Sequence, residues 1–130
     1  MIVDRATILE WPQIEALART YFERMGRDYQ DRRESGTWYV ARRGERVEGC
    51  YATQVFHEHR QVWTTDLYAA EGFAGKRAAL LLSRHAYAEA AAIGYDVVLN
   101  VDPANKEWVT LVERYSDAEL VALVYLHKSS

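Results

Sequence analysis

A single cysteine, Cys50, occurs in the 130 residues of this chain. That excludes an internal disulfide and a cysteine-rich metal site, and it points to a reducing compartment. Prolines number two and glycines seven. They fall where turns are needed, and no internal repeat or low-complexity segment is present. Charge of one sign is scarce as well: the formal net charge is −3, so no bulk pull draws the chain toward nucleic acid or an anionic membrane. Long hydrophobic runs are absent, the longest being far too short to cross a bilayer. The opening "MIVDRATILE" mixes acidic and basic residues into its apolar run, unlike a secretion signal. The expectation is a cytoplasmic protein, or one carried in a particle assembled in the cytoplasm, with no membrane partner.

What is present suits a folded chain. Hydrophobic residues make up 49% and charged residues 27%, as in ordinary soluble proteins. The length predicts a single domain spanning 1–130 around one core. "IVDRAT" reads as an opening strand. "EWPQIEALARTYFERMG" has Ile14, Leu17, Tyr21 and Met25 at helical spacing, with Pro12 near the first turn and Gly26 as a stop. "RDYQDRRES" is charged on all sides and is expected to be a loop or a short solvated helix.

Three β-like runs follow. "TWYVARR" and "RVEGCYATQVFHE" flank Gly44 and Glu45 at hairpin spacing, and "RQVWTTDLYAA" returns across "HEHR". After Gly75 the period changes. Ala79, Leu82, Ala86, Ala90 and Ile93 share one stripe of a helix from about Lys76 to Ile93, closed by Gly94. "YDVVLNV" is a nearly all-apolar strand, "PANKEWVTLVERYS" a further helix, and "AELVALVYLH" a closing strand. An antiparallel meander followed by crossover units makes an α+β protein with a mixed sheet flanked by helices.

This order, with "LYAAEGFAGKRAALLL" joining the fourth strand to the longest helix and "GYDVVLNV" leading to Asn105, resembles the GCN5-related N-acetyltransferase (GNAT) family over nearly the whole chain. The resemblance implies an acyl-CoA N-acyltransferase fold and acetyl-coenzyme A (acetyl-CoA) as cofactor. It also implies a substrate that carries a primary amine. The family's turn has the pattern Arg/Gln-x-x-Gly-x-Gly/Ala, and here it is degenerate. Set about Gly75, Ala79 fits the final small residue, Arg77 falls on the glycine two places before it, and Ala74 falls where the Arg or Gln would stand.

Such a turn holds a diphosphate with helix N-terminal amides. Gly75, Lys76, Arg77, Ala78 and Ala79 are therefore the expected cradle, with Lys76 and Arg77 as cations at a helix start. Leu67, Tyr68 and Ala69 on the strand before it, and Asn105, complete the expected cofactor contacts. Equally, Gly75–Ala79 could simply connect a strand to a helix.

For catalysis, Asp66 and Glu71 are the candidate bases, since a carboxylate in a cleft can accept an ammonium proton if its pKa rises. The usual acid of the family is a tyrosine. Counted from Asn105 its place falls on Val112, which cannot donate a proton, and Tyr115 lies one turn further on. His57 and His59 on a turn supply too few ligands for a metal, and no metal site is expected. His85, about 15 Å along the helix from Gly75, is a surface or packing histidine, and Cys50 a core filler. The four tryptophans belong to core or interface. The leading expectation is an N-acetyltransferase acting on a small molecule, peptide or protein. The alternative is an inactive module of the same fold that binds a protein partner, for example a bacteriophage particle component. Nucleic acid is disfavoured by the acidic balance.

Overall fold

The computed structural model describes residues 1–100 together with Asn105, Lys106 and Thr110. Two compact units divide the chain, Met1–Leu99 and Asn100–Ser130, and the elements below belong to the first. They are β1 (Ile2–Arg5), α1 (Trp11–Arg24), β2 (Thr37–Arg43), β3 (Arg46–Phe56), β4 (Gln61–Ala69), α2 (Phe73–Ala92) and β5 (Asp96–Leu99). Most of the helix expected from Pro103, Trp108, Val112, Tyr115 and the closing strand lie outside the described residues. Among the described residues no helix is long and apolar enough to cross a membrane.

The sheet runs β1-β2-β3-β4-β5 in chain order. Tight turns join β2 to β3 and β3 to β4, so these pairs are antiparallel, as is β1 with β2. A parallel neighbour needs a crossover, and α2 supplies it: β5 lies parallel to β4. The mixed sheet is the one the element order predicts.

Side chains alternate across a strand, so each face collects its own core. On one face Val40, Cys50, Ala52 and Tyr68 pack with Ile14 and Ala18 of α1. On the other Ala41 and Tyr51 pack with Ala78, Leu82 and Ala86 of α2. The small stripe of α2 lets it lie close: a methyl on Gly49 would come within 2.9 Å of the Ala78 side chain.

One boundary moves with consequence. α2 starts at Phe73, not near Lys76, because Gly72 caps it at φ 88° and Lys76 N–H already donates to the Gly72 carbonyl at 3.2 Å. Gly75 is thus inside the first turn of the helix.

Candidate functional site

β4 changes character halfway along. Thr64 pairs with Thr53 and Asp66 with Ala52, which leaves Thr65 as an extra residue with no partner on β3. Such a bulge bends its strand and interrupts the ladder. On the other edge, β5 pairs only with Gln61–Thr64. From Thr65 onward no described strand lies on that edge of β4. Leu67 and Ala69 on this stretch are half-buried. Tyr68 is not available as a side chain: its ring stacks on Trp38 at 6.2 Å and its hydroxyl donates to Asp66 Oδ1 at 2.6 Å. Of the expected contacts on β4, Tyr68 has only its backbone to give.

Asp66 lies on the α1 side beneath the segment linking α1 to β2. Arg32 grips it with Nε on Oδ1 at 2.7 Å and Nη2 on Oδ2 at 3.2 Å. Ser35 and Thr65 hydroxyls add bonds to Oδ2 at 2.7 and 2.9 Å. Burial pushes the carboxyl pKa up, but the bonds from Arg32, Tyr68 and Ser35 outweigh it and hold the pKa below its ordinary value. A base at this place needs the opposite shift. Asp66 therefore does not fit the role of general base; it fastens the 27–36 segment to the bulge. That segment is a loop, as expected, but Arg32 is drawn inward instead of solvated, and Ser35 and Arg33 carbonyls accept from Gln54 and Trp38.

Glu71 is exposed in the turn after β4. It stands past the end of β4, whereas the bulge at Thr65 lies near the middle of that strand.

At the mouth of α2 the expected cradle shifts toward the N-terminus. An added methyl on Gly75 would overlap the Ala70 carbonyl, so this glycine seats the helix against the strand end. Ala78 and Ala79 are buried in the packing of α2 on the sheet, and so cannot line a ligand. The amides with no partner within the helix are those of Phe73, Ala74 and Gly75, not those after Gly75. Gly72 faces open space, with nothing within 4 Å of where a side chain would begin. Lys76 and Arg77 are exposed on the first turn. Gly72 was hidden in the sequence because the motif alignment is anchored on Gly75. Arg32 and Ser35 were hidden because nothing local links them to Asp66.

The remaining candidates fall elsewhere. Asn105 is half-buried and belongs to the Asn100–Ser130 unit. Tyr115 lies outside the described residues. His57 Nδ1 and the Tyr95 hydroxyl share a hydrogen bond of 2.8 Å at the exposed tip between β3 and β4. His85 is a packing histidine, 4.8 Å from the Tyr39 ring and bonded to the Tyr51 hydroxyl at 2.6 Å. Cys50 is fully buried in the core.

The fold of this chain is shared with solved structures. A probable acetyltransferase superposes with a TM-score of 0.73 at 18% identity, covering 100% of this chain and 99% of that one. The ribosomal-protein-alanine N-acetyltransferase from Brucella melitensis biovar Abortus 2308 gives 0.71 at 15%, covering 98% and 99%. A transcriptional regulator from Bacillus halodurans C-125 gives 0.75 at 13%, covering 97% and 98%. The fold is that of the GCN5-related N-acetyltransferases. No family model and no curated protein matches the sequence. Identity this low speaks for the GNAT fold and not for what the chain acts on.

Proposed function

We propose that the chain is an N-acetyltransferase that moves the acetyl group of acetyl-CoA to a primary amine of a small molecule, peptide or protein. The observation that carries this reading is the bulge at Thr65 of β4, with a helix N-terminus at the end of the same strand. The acetyltransferases among the structural neighbours support it, and none of the neighbours described above speaks for a phage particle component.

The residues present suit the cofactor. Gly72 leaves open space at the helix mouth where a side chain would otherwise stand. The Phe73, Ala74 and Gly75 amides, aided by the helix dipole, would hold the diphosphate with Lys76 and Arg77. The edge of β4 from Leu67 to Ala69, beside which no described strand lies, would take the amide-bearing arm. When bound, the group supplies an activated thioester. The chain's own part is to orient it: the bulge frees backbone donors that can polarise a carbonyl, and the Asp66–Arg32 pair fixes a wall beside them.

Thermal unfolding in rising acetyl-CoA tests the reading. The melting temperature should climb with concentration, since a ligand at a hundred times its Kd stabilises by about 2.7 kcal/mol. Arg77→Glu should reduce the climb, as it turns a cation toward the diphosphate into an anion. Release of free thiol over a panel of amines then distinguishes an enzyme from a binding module. A climb without any thiol release refutes the enzyme, and no climb at millimolar cofactor refutes the acetyl-CoA reading and leaves the module that binds a protein partner.

A further inference from the structure

Ala52 of β3 faces α1, so Gln54 and Phe56, two and four positions on, face the same way. The Gln54 side-chain amide donates to the Ser35 carbonyl on that side. Trp63 pairs with Gln54 and Gln61 with Phe56, and Gln61 also pairs with Asp96 of β5. Residues paired across strands share a face. Phe56, Gln61, Trp63 and Asp96 therefore stand together on the α1 face, on the part of β4 that precedes the bulge.

The core contacts of α1 lie elsewhere on this face, at Val40, Cys50, Ala52 and Tyr68. Phe56 is 40% exposed, Trp63 is half-buried and Asp96 is exposed. Phe56 meets Trp63 edge-on with ring centroids 5.7 Å apart, and the Trp63 indole N–H donates to Gln61 Oε1 at 3.0 Å. The rings are thus held in place with their one polar group satisfied. Among the described residues, arginines lie over the rings of Tyr29, Trp11 and Tyr95, and none lies over Phe56 or Trp63. Arg32, on the same face, is neutralised by Asp66. An exposed aromatic pair beside an exposed carboxylate is complementary to a cation, since ring faces and carboxylate both carry negative potential.

We propose that Phe56, Trp63 and Asp96 seat a second ammonium group of the acceptor, which makes the substrate a diamine or polyamine. The inference rests on the acyl-transfer reading above, in which the acetyl carbonyl lies at the bulge. Trp63 stands two residues before Thr65, and Gln61, level with Asp96, stands four before it. At the rise of a strand these are roughly 7 and 13 Å, the separation expected between the two nitrogens. The seated nitrogen keeps its proton. The other, as the free amine, bonds to the acetyl carbon while the carbon–sulfur bond breaks, and its proton leaves with coenzyme A as the thiol.

The experiment measures amine affinity by thermal unfolding with coenzyme A present, so that no turnover occurs. The amines are a linear seven-carbon diamine and the amino alcohol with a hydroxyl in place of one nitrogen. Wild type should bind the diamine about five- to tenfold more tightly, the combined effect of an exposed cation–π contact and a surface ion pair. Asp96→Asn should lower that preference about twofold, and Trp63→Leu should remove most of it. Both variants should keep wild-type affinity for coenzyme A. Asp96 is exposed, so D96N carries the test if W63L folds poorly. Equal affinity of wild type for the two amines overturns the inference alone. So does a preference that survives in D96N and W63L, because the diamine is then held by general surface charge. A wild type that coenzyme A does not shift overturns the acyl-transfer reading itself, and this inference with it.

Discussion

Five hydrogen bonds end on the Asp66 carboxylate, from Arg32 twice, Ser35, Thr65 and Tyr68. Its side chain is 2% exposed and that of Arg32 23%. Removing the charge leaves Arg32 without its counter-ion, so Asp66→Asn should cost on the order of 3 kcal/mol near neutral pH, at the low end for breaking a buried pair because Arg32 keeps some access to water. The pH dependence has a definite sign. The folded-state pKa lies below the ordinary 3.8, so the stabilisation is present above that value and is lost as pH falls through the lower one. Urea titrations of wild type and D66N should therefore differ by a constant amount above about pH 5 and converge below about pH 4. A gap that widens in acid would mean that the Asp66 pKa is raised in the folded protein, as the role of general base needs. The sequence showed Asp66 on the strand that leads to the helix. It did not show Arg32 reaching it, because a contact across 34 positions leaves no periodic trace.

At the scale of elements, the junction of β4 and α2 decides most. Gly75 carries no unusual backbone angle; its necessity comes from the Ala70 carbonyl against which the helix is seated. Gly75→Ala should destabilise by about 1–3 kcal/mol, as overpacking does, and should be read by chemical denaturation. The matching change at Gly72 meets open space and strains only the backbone at φ 88°. G75A that unfolds like wild type would show the helix mouth to be freer to shift than this packing allows. The helix, its stop at Gly94 and the small stripe of α2 were legible from periodicity. The cap was not: two glycines stand three positions apart in "EGFAG", and pattern alone does not tell which turns the chain and which admits a neighbour.

Over the whole molecule, two cores on opposite faces of one sheet make the Met1–Leu99 unit a layered structure, with Cys50 fully buried on the α1 side. Burial raises the pKa of its thiol, as the nearby Asp66 charge does, so both access and ionisation oppose reaction. Cys50 should remain unmodified by a thiol reagent in native buffer and titrate as one thiol per chain in denaturant. A rapid native reaction would show that this core opens locally without global unfolding.

Element order, the sheet's mixed character and the amphipathic faces of α1 and α2 follow from spacing and turn residues, which are local properties. On them the likeness to the acetyltransferase fold could be drawn before any coordinates. Three matters needed the packed chain: the bulge at Thr65, the capture of Asp66 by Arg32, and the transfer of the helix mouth from Gly75 to Gly72. Each depends on strand register or on a contact between distant segments. Such features are settled by how the layers fit together, and no window of neighbouring residues contains them.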